Sequence, residues 1–185
     1  QGGLNAEPLS GGTPTGYYLK KYCQTAVDLR AGTASKTYHS WITFRFGEFY
    51  LNYAEAVYKY LGSPYAPDSE VTTSAVDAIK VVRTRAGMPG LPQGMTYDAF
   101  WMKYQYERMV ELAFEGHRFW DVRRWKEGDK HFKNIVEMKI TKNGDDTYTY
   151  ERKVKERSWD DKMYFFPIPQ SEKSKNPNLE QNPGW

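Results

Sequence analysis

The sequence contains little that supports a disulfide, a metal site or a membrane-spanning helix. Its 185 residues include one cysteine, Cys23, and three histidines, His39, His117 and His131. An internal disulfide is therefore impossible, and no spacing typical of a metal site is present. No apolar run approaches the length that spans a bilayer. The net charge is +3, from 26 basic and 23 acidic residues, a balance that argues against nucleic acid as a partner.

Motifs for nucleotide binding and for nucleophilic catalysis are missing as well. The chain has neither a Gly-x-x-x-x-Gly-Lys-Ser/Thr loop nor a Gly-x-Gly-x-x-Gly turn, and it has no nucleophile-elbow signature. We therefore expect no cofactor. The first residues, QGGLNAEPLSGG, lack the basic and apolar parts of a secretory leader, and Cys23 lacks the apolar lead-in of a lipid-attachment site. We expect a mature product or a fragment of a longer protein.

Aromatic residues, by contrast, are abundant. They make up 16% of the chain, as 15 Tyr, 9 Phe and 6 Trp. One interpretation is a core and surface built on aromatic packing. The other is that some exposed rings bind sugars or other flat ligands, because a ring combines an apolar face with a polar edge. Composition alone leaves both open.

The first strong periodicity predicts a pair of antiparallel helices. Residues 1–16 and 31–40 are typical of loops, and residues 17–22 predict a short strand. A helix with one apolar stripe follows and is ended by Gly62 and Pro64; the stripe comprises Phe46, Tyr50, Tyr53, Val57 and Leu61. A second helix is predicted over residues 69–86, capped by Asp68 or Ser69 and stopped by Gly87 and Pro89. Small residues allow the two axes to approach closely; they are Ala54, Ala56, Ala75 and Ala78.

This pair resembles one unit of a tetratricopeptide repeat, although no second copy is present. A single pair cannot bury both of its faces, so it must pack on something else. A third helix is predicted from Thr96 to Gly116, resuming until Gly128 ends it. Asn143-Gly144 then predicts a β-hairpin between residues 136–142 and 147–155, with the following Asp pair able to lengthen the loop. The tail from Tyr164 contains four prolines and predicts an extended, turn-rich segment.

The densest charge cluster is ERMVELAFEGHRFWDVRRW, residues 107–125. Glu107, Glu111 and Glu115 share one helical face, and arginines are interleaved with them. A carboxylate pair for glycoside hydrolysis would need one raised pKa, whereas neighbouring arginines lower a carboxylate pKa. A bridged structural helix is therefore favoured over catalysis. The same acids would cancel the field that the arginines of this segment present to a phosphate backbone.

Four segments resemble the C-terminal region of the SusD/RagB family. The strongest is residues 107–125, similar to the family's E-R-x-x-E-L-A-F-E-G-x-R-x-x-D-L-R-R-W. Residues 165–185, FFPIPQSEKSKNPNLEQNPGW, resemble its closing F-P-I-P-x-x-E…N-P-x-L-x-Q-N-P-G-Y/W. Arg45 with FYLNYAEA (49–56) resembles an earlier family helix, although Phe46-Gly47 replaces the usual small pair. AVDAIKVVRTRAGMPGLP (75–92) resembles the helix end of the family's next element.

The resemblance implies a mainly α fold, in which tetratricopeptide-like helical hairpins of a SusD-like α-α superhelix are joined by long loops and a small β-hairpin. It implies one C-terminal region over residues 1–185, with a lead-in (1–42), a helical scaffold (43–128) and a hairpin with a proline-rich tail (129–185). It also implies a non-catalytic lipoprotein on the outer face of an outer membrane, anchored through an N-terminal Cys outside this chain. Its expected partners are a SusC-like TonB-dependent transporter, an oligosaccharide such as a starch-like glycan or another nutrient, and an N-terminal part of the same protein.

The residues matching the family motifs are assigned to folding, as a structural ion-pair set: Arg45, Glu55, Arg83, Arg85, Glu115, Arg118, Asp121 and Arg124. Ligand stacking needs exposed rings on loops, so we predict Tyr38 and Trp41 as ligand-binding residues, with His39 or Ser40 as polar partners. Two rival functions stay open. One is a helical protein-interaction scaffold without its own pocket, and the other is a carbohydrate-active enzyme with a carboxylate such as Glu111 or Glu115 in a cleft.

Overall fold

The chain is mainly helical, with one small sheet. The computed structural model describes residues 19–24, 27, 38, 40–65 and 67–185. Two compact units, residues 1–90 and 91–185, divide the chain. Helices dominate both units, and a two-stranded antiparallel sheet belongs to the second. The predicted fold class is thereby confirmed. The finer division at residues 42/43 and 128/129 stays a prediction.

The first unit contains the predicted helix pair, α1 (Phe46–Leu61) and α2 (Ala75–Arg85). Gly62 ends α1 in the left-handed region, at φ 63°, which favours glycine. The α2 helix begins later than predicted, because Ser74 and not Asp68 or Ser69 caps it. The Ser74 hydroxyl accepts the N–H of Asp77 at 3.1 Å. Asp68 instead accepts the N–H groups of residues 70 and 71 at 2.8 and 2.7 Å, which makes a turn before the helix.

The buried face of α1 differs from the predicted stripe. Val57 of the predicted stripe is buried, whereas Phe46 and Tyr53 are exposed, and Leu51, Ala54 and Tyr58 are buried in their place. The helix has apolar residues on both faces, and periodicity alone does not say which face meets α2. In α2 the residues Ala75, Ala78, Ile79 and Val82 are buried on one face. Of the four small residues, Ala56 alone is exposed.

The strand predicted over residues 17–22 is wrong where the structure describes it. Residues 21 and 22 lie in a turn closed by the Cys23 N–H, which donates to the Lys20 carbonyl at 2.9 Å. Residues 17 and 18 lie outside the described residues.

The second unit begins with two helices that share the densest charge cluster. Helix α3 (Tyr97–Glu111) starts at Thr96, whose hydroxyl accepts the Ala99 N–H at 3.2 Å. Helix α4 (His117–Arg124) follows a turn in which Gly116 has φ 84°. Contrary to the prediction, Gly128 does not end this helical run. It begins a separate short helix, α5 (Gly128–Phe132), because the chain has already left the helical path at Lys126, which has φ 55°.

A β-hairpin extends from α5. Strands β1 (Asn134–Lys142) and β2 (Tyr148–Glu156) pair antiparallel, with Asn134 opposite Glu156 and Lys142 opposite Tyr148. The loop therefore has five residues, 143–147, so the Asp pair does lengthen the two-residue turn. In the two strands every side chain is exposed except that of Ile135, which is half-buried.

The tail is more regular than its prolines predict. A 3-10 helix, Asp161–Tyr164, precedes a one-turn-and-a-half helix, α6 (Gln170–Lys175). Helix α6 starts directly after Pro169, where the fixed φ of proline suits helix entry. The side-chain amide of Gln181 accepts the Ile168 N–H at 2.7 Å and donates to the Ile168 carbonyl at 3.0 Å. Among all the described residues, no helix has both the length and the apolar character needed to cross a membrane.

Candidate functional site

The two predicted ligand-binding residues lie in the loop before α1, and one of them belongs to a ring stack. Trp41 stacks on Tyr22 with 5.3 Å between ring centroids and 15° between planes. The Trp41 side chain is nevertheless 73% exposed. One ring face is thus held by another aromatic residue, and much of the remaining surface is open to solvent.

Tyr38 is close to the same segment through its backbone. The side-chain amide of Gln24 donates to the Tyr38 carbonyl at 2.9 Å, which ties residues 19–24 to this loop. The Tyr38 ring itself is fully exposed. Of the two predicted polar partners, Ser40 is exposed, and His39 lies outside the described residues. We name Tyr22, Tyr38 and Trp41 the aromatic patch. Tyr22 was missed because residues 17–22 were predicted to be a strand and not a loop.

A separate site between α3 and α4 is polar and deeply buried. Arg108 donates its Nε–H to Asp121 Oδ2 at 2.7 Å, and each side chain is only 5% exposed. Arg124 donates to the other oxygen of Asp121 at 2.9 Å. Burial lowers the pKa of Arg108, but the hydrogen bond and charge of Asp121 outweigh it and leave that pKa above its ordinary value. Such a charged pair can orient helices and has no free group for chemistry.

The remaining members of the predicted ion-pair set are spread over both units. Arg45 and Glu55 are half-buried in the first unit, as is Arg83, whose Nε donates to the Pro89 carbonyl at 2.6 Å. Arg85 is exposed at the end of α2, and Glu115 is half-buried in the turn before α4. Their assignment as an ion-pair set stays a prediction. Spacing on one helix did not identify Arg108 as the partner of Asp121, since 13 residues separate them.

Two arginines of α4 lie against aromatic rings. Arg118 sits 5.9 Å from the Trp125 ring centroid, and burial lowers its pKa. Arg123 lies over the rings of Phe119 and Phe166, at 4.3 and 4.7 Å, and donates to the Met163 carbonyl. These contacts fix the tail against α4, because both Met163 and Phe166 belong to the segment after the hairpin.

The Glu127 carboxylate accepts hydrogen bonds from side chains of α3 and α5. It accepts the indole N–H of Trp101 at 3.2 Å, the amide of Gln105 at 2.9 Å and the ring N–H of His131 at 2.8 Å. Burial alone raises the pKa of Glu127, but these hydrogen bonds outweigh it, and the pKa lies below its ordinary value. An ionised Glu127 carboxylate can only accept, so a ring N–H of His131 is the donor in this contact. Burial also lowers the pKa of His131.

The sequence offered a signal for this site that was not used. Glu127 and His131 are four residues apart, as are Trp101 and Gln105, so each pair faces one way on its helix. A carboxylate with a lowered pKa is unsuited to act as a general acid. The described residues contain no group of three or more His, Cys, Asp and Glu side chains arranged to hold a metal ion.

Gly128 completes the unit's packing. An added Cβ at Gly128 would collide with the six-membered ring of Trp159, and the Gly128 N–H donates to the Tyr164 hydroxyl at 2.9 Å. Trp159 also contacts Phe132, at 5.2 Å between centroids. The ring of Trp159 therefore occupies the space that a side chain at position 128 would need, so only glycine fits at this position before the hairpin.

Comparison with known proteins places this arrangement in a family. A family model described as the SusD family matches residues 2–185. A SusD-like protein from Bacteroides fragilis NCTC 9343 is 33% identical, with a TM-score of 0.62 over 78% of this chain and 26% of that chain. The structure of BT4246 is 34% identical, with a TM-score of 0.55 over 83% of this chain and 24% of that one. No curated protein matches.

The chain thus spans about a quarter of the length of these two solved structures. The family match extends over nearly every residue, and it includes the α3–α4 segment that carries the buried Arg108–Asp121 pair. The resemblance drawn from the sequence motifs is therefore confirmed. This chain belongs to the SusD family.

Proposed function

We propose that this chain is part of a non-catalytic, cell-surface binding protein that captures a glycan or another nutrient. In this proposal it is lipid-anchored at the outer membrane and passes its ligand to a SusC-like TonB-dependent transporter. Membership of the SusD family supports the general role. The observation that carries the proposal for this chain is the aromatic patch, in which Trp41 stacks on Tyr22 and stays largely exposed.

The physical basis is the cost of exposing a large ring. An indole buries much apolar area when it packs, and leaving it in water forgoes that gain. The apolar face of a pyranose ring can cover it, while the sugar hydroxyls keep hydrogen bonds with water and with side chains near the ring. Tyr38 and Ser40 are exposed beside Trp41 in sequence. The phenol of Tyr38 and the hydroxyl of Ser40 can form hydrogen bonds with the hydroxyl groups of the sugar.

The same structure gives little support to hydrolysis. A glycosidase needs one carboxyl group with a raised pKa. Hydrogen bonding instead leaves the pKa of Glu127 and the pKa of Asp145 below their ordinary values, so neither carboxyl group suits the role of general acid. For Asp145 the largest contribution is its bond from the Thr147 hydroxyl, at 2.6 Å. We therefore propose binding without turnover.

The test is glycan binding by the 185-residue chain and by a Trp41→Ala variant. Native electrophoresis in gels cast with soluble starch, xylan or mannan identifies a ligand, and calorimetry with the matching oligosaccharide gives the affinity. We expect roughly a fivefold loss of affinity for Trp41→Ala, since one ring contact contributes about 1 kcal/mol. Phe44→Ala is the matched control, because Phe44 is another exposed ring of the same loop without a stacked position in the patch. Equal binding by wild type and Trp41→Ala contradicts the proposed site, and release of reducing sugar contradicts the non-catalytic role.

A helical protein-interaction scaffold is the second candidate, and α3 favours it. Its exposed side includes Met102, Tyr106, Met109 and Val110, which fall on one face at helical spacing. The opposite side is buried through Phe100 and Tyr104. A helix that is apolar on both sides suits contact with a further helix, such as one from an N-terminal part of the same protein. Val110→Asp should abolish capture of such a part without changing glycan binding if the scaffold role is correct.

A further inference from the structure

Within the part of the chain that the structure describes, the outer edge of β1 has backbone groups without strand partners. At the base of the hairpin the Arg157 N–H donates to the Lys133 carbonyl, and at the tip the Asn143 N–H donates to Thr147. Bonded pairs alternate along an antiparallel ladder, so the odd-numbered residues of β1 bond with β2. The even-numbered residues then direct their N–H and C=O groups outward. In the sheet formed by the described residues, β1 and β2 are the only two strands.

The same even-numbered residues form an apolar face. Val136, Met138 and Ile140 lie on it together with Val154 and Tyr150 of β2, and each of these five side chains is about half exposed or more. Arg152 lies on the same face, opposite Met138. The opposite face is charged and contains Glu137 and Lys139. An isolated two-stranded hairpin is only marginally stable in water. An open edge beside an apolar face is a common place for a further strand to add.

We propose that β1 pairs with β1 of a second copy of this chain, antiparallel about a two-fold axis at Met138. In this register Asn134 lies opposite Lys142 of the second copy, so all nine residues of β1 are paired. On the apolar face, Val136 meets Ile140 of the second copy, and the two Met138 side chains meet on the axis. The result is a four-stranded sheet whose two central strands share an apolar face, with one Arg152 side chain on each outer strand.

Charge selects this register. On the polar face, Glu137 lies opposite Lys139 of the second copy, and the axis produces the same pair twice. Moving the axis by one residue sets Glu137 against Glu137 or Lys139 against Lys139, and like charges directly opposite are destabilising. Pairing through β2 is disfavoured for the same reason, because its full-length register sets Arg152 against Arg152.

The first test is the mass of the 185-residue chain by sedimentation between about 10 μM and about 500 μM. The chain mass is 21.6 kDa, and we expect the average to rise toward twice this value. Met138→Pro removes an outward N–H without removing a bond to β2, and it should keep the chain monomeric. Arg152→Pro is the matched control on the outer edge of β2 and should dimerise like wild type.

The second test uses charge and does not depend on proline. Glu137→Lys alone and Lys139→Glu alone should each abolish the dimer, because each sets like charges opposite one another. Mixing the two variants should restore it, since every polar-face pair is then of opposite sign. Wild type that stays at 21.6 kDa overturns the proposal. A dimer that persists in Met138→Pro, or variants that do not recover on mixing, also overturns it and assigns the face to another occupant.

Discussion

Arg108 and Asp121 form a buried ion pair that joins two helices of the second unit, with 2.7 Å between Nε and Oδ2. Replacing Asp121 with alanine leaves the Arg108 charge buried without this partner. We expect a loss of about 3–5 kcal/mol in the free energy of unfolding. The measurement is urea unfolding followed by tryptophan fluorescence, which reports mainly on this unit because five of the six tryptophans lie in residues 91–185.

Arg124→Ala is the control for that variant. Arg124 bonds the same carboxylate, but 43% of its side chain is exposed, so its removal should cost less than about 1 kcal/mol. A similar loss for Asp121→Ala and Arg124→Ala would show that burial does not determine the energy of this cluster.

Acid should destabilise the second unit in two stages. His131 has a pKa below its ordinary value of 6.5. Its contribution to the free energy of unfolding is therefore present above pH 6.5 and is lost as pH falls through the folded-state pKa. Glu127 has a pKa below 4.5, so its contribution persists above 4.5 and is lost as pH falls further. Glu127→Gln should remove the second stage and cost about 1–3 kcal/mol at neutral pH.

The measurement is the urea midpoint of wild type, Glu127→Gln and His131→Gln, taken from about pH 7.5 to about pH 3.5. The difference in midpoint between each variant and wild type isolates the contribution of the substituted group from that of the other titratable groups. A Glu127→Gln profile parallel to that of wild type below pH 4.5 would contradict the assignment of the lower stage to Glu127.

Gly128→Ala should be strongly destabilising, because the new methyl group collides with Trp159. We expect a loss of about 1–3 kcal/mol from overpacking, measured by urea unfolding. The decisive comparison is a double-mutant cycle with Trp159→Leu. If the ring is the cause, Gly128→Ala should cost much less in the Trp159→Leu background. An unchanged cost would assign the effect to the backbone of α5.

Gly62→Ala tests the end of α1. An added Cβ there meets nothing within 4 Å, so the expected loss of about 1 kcal/mol comes only from the left-handed φ of 63°. Gly144→Ala in the hairpin loop is the matched control, because it also meets nothing but has no positive φ. Both are compared by thermal unfolding, and only Gly62→Ala should lower the midpoint.

The sequence predicted the helices better than it predicted their limits and faces. Apolar spacing located α1 and α2, yet Ser74 and Asp68 are both good caps, and the choice depends on where the chain turns. Phe46 and Leu51 are both apolar, and only packing against α2 decides that Leu51 is buried. Local pattern carries no information on such tertiary choices.

The candidate sites show the same division. The exposure of Tyr38 and Trp41 agrees with the reasoning that loop rings are open, although their role as ligand contacts stays a proposal. The Tyr22 stack and the Arg108–Asp121 pair were not foreseen, because each joins segments more than twelve residues apart. Spacing rules on a helix extend only to neighbours three or four residues away. The four family motifs identified the family where periodicity could not.

Among the described residues, the contacts that anchor the hairpin lie at its base, where Trp159 packs on Gly128 and the Arg157 N–H donates to the Lys133 carbonyl. The length of the hairpin is therefore free to drift during evolution without disturbing the core of the unit. Insertions of two residues in each strand preserve which side chains share a face, whereas a single insertion in one strand moves its apolar residues to the charged side. Among relatives, we expect hairpins to differ in length by even steps per strand, while the glycine and tryptophan at the anchor stay together.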